Sequence, residues 1–188
     1  MYSVRLSRLC NRDKEIRKSF SGVFDVVEFA NQIEFDNKIT FSCIVNTGGR
    51  GEEMGHWFCI YVDNKRKICS LFDSFGFRPH LYGPGLLKLL KRRHLLFNKR
   101  ILQDFSSSSC GLYAIMVLYY LCRGQSLPRI LAREFPTRNT RFNNEQKVSI
   151  FARNKFGINT ETDLKKAATY KSDSIQFHST LISSSNYV

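Results

Sequence analysis

Residues 111–122 read GLYAIMVLYYLC, with no charged side chain on any face. As a helix this run is apolar all round, so it must be enclosed by other elements on every side. It is too short to cross a bilayer, which takes roughly 20 residues. The chain therefore has to build a shell around a buried rod. Its 188 residues, 43% of them hydrophobic and 13% aromatic, are enough for one compact domain and exclude a disordered basic tail. The N-terminal stretch MYSVRLSRLCNRDKEIRKS is too charged for a secretory signal, so a soluble, non-secreted, intracellular protein with no membrane span is expected.

The elements around the rod follow from pattern. Residues 20–41 mix aromatics with acids and predict short elements covering a core. Residues 42–45 (SCIV) predict a buried strand, and 46–51 (NTGGRG) a turn. HWFCIYV at 56–62 and ICSLF at 68–72, separated by the polar DNKRK, predict a hairpin. Residues 78–85 carry breakers, and 86–97 (LLKLLKRRHLLF) read as a basic amphipathic helix. A short strand is expected at 100–102 and a further helix at 144–154. Ser108 or Ser109 is a candidate N-cap for the central helix. Together these give an α+β fold with one domain over residues 1–171. The last residues, 172–188, with six serines and little periodicity, read as a flexible tail.

The formal charge of +13 and isoelectric point of about 9.7 make a polyanion a candidate partner, solubility being the plainer explanation. The six cysteines (10, 43, 59, 69, 110 and 122) include no CxxC pair, so no structural metal site is expected and reduced thiols are the default.

Cys110 stands where a polar serine loop meets the buried helix. There the free N–H groups and the positive dipole end favour a thiolate and can hold an oxyanion beside it. A cysteine filling core space at the helix start is the alternative. His56 opens a strand after a glycine-rich loop, placed to serve a thiolate as base, or simply to be a surface or capped histidine. Its rivals are less suitably placed: His80 among breakers, His94 on a basic face and His178 in the tail. Asp73 ends the partner strand among Phe72, Phe75 and Phe77. An antiparallel hairpin brings the outer ends, His56 and Asp73, side by side, so that the acid can orient the imidazole. A turn aspartate is the alternative. Gln103, seven residues before Cys110, can donate to an oxyanion together with the Cys110 amide, although alone it carries no signal. The ordered set His, acid, Gln, Cys is more specific than any member.

These residues, with the stretches IVNTGGR (44–50), HW (56–57), LFDSFGF (71–77) and SCGL (109–112), resemble the adenovirus-type cysteine endopeptidases (adenain) and their adintovirus and Polinton/Maverick relatives. A fainter likeness runs through 20–25 and through NEQ (144–146) to Phe151. The resemblance implies a papain-like, Ulp-type fold with a mixed central sheet, its histidine preceding its cysteine in the chain. It also implies a protease that cleaves capsid or core precursor proteins next to glycine, at Gly-Gly-X or Gly-X-Gly sites, during virion maturation. Residue by residue, Cys110 would be the nucleophile, His56 its base and Asp73 the orienting acid. Gln103 and the Cys110 amide would form the oxyanion hole, and Trp57 would wall a glycine-sized channel.

The same resemblance implies a monomer working in the virion and host nucleus, with no metal or organic cofactor. DNA is the activator it suggests, contacted through Lys88, Lys91, Arg92, Arg93, Lys99 and Arg100. Adenoviral members also use a disulfide-tethered peptide, held by a cysteine between the acid and the glutamine. Residues 74–102 contain no cysteine, which speaks against such a peptide here. Two competing functions remain at this level. An Ulp-type protease would release a ubiquitin-like modifier ending in Gly-Gly. A non-catalytic DNA-binding capsid accessory would have no need of all four site residues.

Overall fold

The hairpin expected from the two apolar stretches forms the middle of a five-stranded sheet. The computed structural model describes residues 2–31, 38–48, 55–83, 86–87 and 92–158. The expected tail, and Lys88 and Lys91, lie outside the described residues. Strand β3 (Trp57–Asp63) pairs antiparallel with β4 (Ile68–Asp73), from Asp63 opposite Ile68 to Phe58 opposite Asp73. The Asp63 carboxylate accepts the Arg66 N–H at 3.0 Å, and Lys67 turns the corner in the left-handed region (φ 56°).

On one side, β2 (Thr40–Asn46) runs antiparallel to β3, and β1 (Phe20–Asp25) runs parallel to β2. On the other, β5 (His94–Phe97) runs parallel to β4. Strand order thus follows chain order.

Alternation along the strands sorts side chains into two cores. Phe41, Cys43, Val45, Phe58, Ile60, Val62, Cys69 and Leu71 face one way. They pack with Phe29 from α3 (Val26–Asn31), with Tyr82 from a 3-10 turn (Pro79–Tyr82) and with Leu86. Ile44, Cys59 and Phe72 face the helical layer. That layer comprises α1 (Tyr2–Arg12), α2 (Lys14–Ser19), α4 (Cys110–Leu121), α5 (Leu127–Glu134) and α6 (Arg141–Phe156). Helix α4 is the enclosed rod, with every residue from Cys110 to Leu118 buried. Each enclosed aliphatic side chain contributes roughly 1.5–3 kcal/mol relative to exposure. The mixed sheet flanked by helices is the α+β fold that the sequence predicts.

Two local expectations are corrected. The basic helix over 86–97 does not run through its second half. His94–Phe97 is strand β5, paired from Ile68 opposite His94 to Leu71 opposite Phe97, and the His94 N–H is held by the Lys67 carbonyl at 2.7 Å. Pairing to a buried neighbour outweighs the helical pattern. Residues 100–102 are not a strand. The Leu102 and Gln103 N–H groups both turn onto the Ser74 carbonyl, at 2.8 and 3.2 Å, so the chain crosses the end of β4. Gly76 permits this crossing. Its φ is +71°, and a Cβ there would lie 2.8 Å from the Arg100 carbonyl oxygen.

The helix expected at 144–154 is longer at both ends. Thr140 and Asn143 form a capping box before it, and Gly157 closes it in the left-handed conformation.

Candidate active site

His56 sits immediately before β3 and is fixed by its backbone. Its N–H donates to Thr47 Oγ1 at 2.9 Å, and its carbonyl accepts the Thr47 N–H at 3.0 Å. The preceding turn is closed by the Asn46 side chain, which accepts the Gly48 N–H at 2.8 Å. Gly55 is required here, because a Cβ would collide with that same Asn46 oxygen. The imidazole is 4% exposed. Phe75 lies against it, ring centroids 4.5 Å apart, and Phe77 meets it edge-on at 6.1 Å.

Asp73 and His56 are neighbours, but not by direct pairing. The residue opposite Asp73 is Phe58, and His56 lies two positions further along, reaching Asp73 diagonally. His56 Nε2 is 2.9 Å from Asp73 Oδ1. The contact is an ion pair whenever the imidazole is protonated. The carboxylate is fully buried and heavily held. Oδ1 accepts the Phe75 N–H at 2.6 Å, and Oδ2 accepts the Tyr82 hydroxyl. Asn98 brackets the same residue, accepting the Asp73 N–H at 2.9 Å and donating to its carbonyl at 2.5 Å.

Cys110 opens α4 and is 7% exposed. Its sulfur lies close enough to His56 to favour the charged imidazole. Burial works against a charged imidazole at this position. The Asp73 carboxylate, followed by the Cys110 sulfur, outweighs it and raises His56 from 6.5 to about 10. Burial pushes the thiols of Cys10, Cys43, Cys59, Cys69 and Cys122 up, which keeps them protonated and inert. Ser109 occupies the N-cap position, as expected, yet its side chain makes no cap bond.

Gln103 is fully buried, with its amide fixed at both ends. Oε1 accepts the Ser74 hydroxyl at 2.6 Å and Nε2 donates to the Ser107 carbonyl at 2.9 Å. That leaves one amide hydrogen to offer a ligand. Trp57 opens β3 opposite Asn46, is 7% exposed and shares a core cluster with Cys110 and Leu112.

The basic residues divide. Arg92 and Lys99 are exposed, whereas Arg93 donates to Asn64 at 2.8 Å and Arg100 to the Phe135 carbonyl at 2.5 Å. Among the described residues no three potential ligand side chains cluster for a metal, and no helix is long and apolar enough to cross a membrane.

Pattern reading missed Tyr82, Asn98 and Ser74. Tyr82 lies in a stretch read only as breakers. The signal on offer was a large aromatic among turn-formers, which needs a reason to be there.

A mixed sheet with an enclosed helix packed on its central strand β3, His56 preceding Cys110 in the chain, defines an Ulp-like cysteine-protease fold. The crystal structure of the ASFV pS273R protease has this fold, at a TM-score of 0.53 and 19% identity, with 79% of this chain and 64% of that one covered. Residues 20–177 match the adenovirus endoprotease family model, and the chain belongs to that family. The protease of Snake adenovirus serotype 1 is 29% identical over 121 residues, covering 57% of this chain and 59% of the relative. That of Human adenovirus A serotype 12 is 32% identical over 123 residues, covering 57% and 58%. The chain thus matches less than two thirds of the length of either relative.

Proposed function

We propose that this chain is a viral or mobile-element thiol endopeptidase that cleaves capsid or core precursor proteins beside glycine, using Cys110, His56 and Asp73. One observation carries the reading: a buried imidazole lies between a buried carboxylate and a helix-opening cysteine, with its charged form favoured. The proton of the Cys110 thiol passes to His56, which gives an imidazolium and a thiolate. The sulfur attacks the scissile carbonyl, forming a C–S bond and placing the negative charge on oxygen. The Cys110 amide and the remaining Gln103 hydrogen stabilise that charge. His56 protonates the departing amine as the C–N bond breaks. Water then gives a proton to His56 and attacks the thioester, which releases the acid and the thiolate.

Trp57, at the head of β3, is assigned the wall of a glycine-sized channel. The enzyme is taken to work as a monomer in the virion and host nucleus, with DNA as activator through the basic residues around 88–100. The test is labelling with a peptide ending in a glycine aldehyde or vinyl sulfone. Modification mapped to Cys110, and cleavage of Gly-Gly-X precursor peptides in preference to a ubiquitin-like Gly-Gly fusion, is expected. Modification confined to another cysteine overturns the reading.

A further inference from the structure

Residues 104–108, between Gln103 and the N-cap Ser109, contain no fully buried side chain. Phe105 stacks on Phe75 at 5.2 Å and anchors one point of the loop that joins the two halves of the proposed oxyanion hole. The rest of its course is set by polar bonds, several of which converge on one carboxylate of α6. Glu145 Oε2 accepts the hydroxyls of Ser109 at 2.6 Å and Ser107 at 3.0 Å. Its Oε1 accepts the Asp104 N–H at 3.2 Å, with the Tyr113 hydroxyl further off at 3.4 Å. The neighbouring Asn144 donates to the Leu102 carbonyl at 3.0 Å, so two successive residues of α6 grip both ends of the segment.

Each bond leads to the reaction centre. The carbonyl of Ser107 is the acceptor that orients Gln103 Nε2. Ser109 precedes Cys110, and its hydroxyl, turned to Glu145, is diverted from capping α4. The Leu112 and Tyr113 N–H groups turn back onto the Ser109 carbonyl at 2.8 and 3.1 Å, so the Cys110 and Gly111 amides are the ones left to meet a developing negative charge. We propose that Glu145 is a positioning residue for the oxyanion hole: it sets the Gln103 amide through Ser107 and the start of α4 through Ser109, touching neither substrate nor sulfur. This rests on the endopeptidase reading above.

A positioning role and a general structural role separate by experiment. Alkylation of Cys110 by iodoacetamide needs the sulfur and imidazole but forms no oxyanion, whereas peptide cleavage needs both. In Glu145→Ala, kcat is expected to fall about 10- to 100-fold, with KM and the alkylation rate each within about threefold of wild type. Glu145→Gln keeps an acceptor for the two serines and recovers most of the loss. The double variant Ser107→Ala/Ser109→Ala reproduces it. The proposal is overturned if kcat in Glu145→Ala stays within twofold of wild type, or if alkylation and kcat fall in step. Should Glu145→Ala not fold, the double serine variant decides, and an unchanged kcat there overturns the proposal equally. Cleavage that survives Cys110→Ala would instead refute the endopeptidase reading, a result read at the cysteine and not at Glu145.

Discussion

Tyr82 donates its hydroxyl to Oδ2 of Asp73, on the carboxylate oxygen that His56 does not approach. Its ring stacks on Phe58 at 4.2 Å, directly opposite Asp73 in the β3–β4 pair, so the hydroxyl has little freedom to leave. Tyr82→Phe removes one partner from a buried charge and keeps the packing. Such a bond is worth roughly 1.5–3 kcal/mol, and part of it is felt by the imidazole. Cleavage is expected to slow about 3- to 10-fold in kcat/KM with a peptide substrate. A rate equal to wild type would remove Tyr82 from the site.

Cys110→Ala and His56→Ala are expected to abolish cleavage, and Asp73→Asn to cost less than either, because an orienting group contributes less than a base or nucleophile. Single-turnover rates on one peptide rank the three. Equal and small losses would reject the arrangement.

His56 shifts upward on folding, from 6.5 to about 10. A raised value means that the folded state binds the proton more tightly. The stabilisation is therefore complete below pH 6.5 and is lost as pH rises through about 10. Urea unfolding of the wild type should weaken more steeply between pH 7 and 10.5 than that of Asp73→Asn, which lacks the carboxylate that holds the proton. Parallel curves would contradict the ion pair.

Gly76→Ala forces a side chain into the left-handed region and against the Arg100 carbonyl. A loss of about 1–3 kcal/mol is expected in denaturant titration. Leu102 and Gln103 hang from Ser74, two residues before Gly76, so kcat should fall as well. Unchanged stability would show that the crossing tolerates a methyl group.

For DNA activation, cleavage should rise with added duplex and fall as salt increases. Arg92→Ala and Lys99→Ala should blunt the rise. Arg100→Ala should chiefly lower the melting temperature, its guanidinium being engaged by the Phe135 carbonyl. A response flat to both DNA and salt removes the activator.

Much of the site was legible because its parts lie in local patterns. The hairpin follows from two apolar runs flanking DNKRK, and the enclosed helix from an uncharged run. Diagonal contact was not legible: strand ends can be aligned by counting, but the offset that pairs Asp73 with Phe58 is set by the turn at 64–67. Strand β5 was hidden because LLKLLKRRHLLF satisfies a helical period, and a parallel partner in β4 leaves no mark in the sequence. Helices α1, α2 and α5, rich in basic residues, show their buried side only against the sheet. The support from Tyr82, Asn98 and Glu145 is wholly tertiary, since each meets its partner across a segment whose course had to be known first.

His56 and Asp73 are joined by a short hairpin, but Cys110 arrives only after β5, and its helix is sealed by α6, which ends at Phe156. In the endopeptidase proposed above, the sulfur meets the imidazole only while α4 is docked on the sheet. A chain opened locally at α4 and α6 would therefore keep the imidazole and carboxylate together and lack its nucleophile.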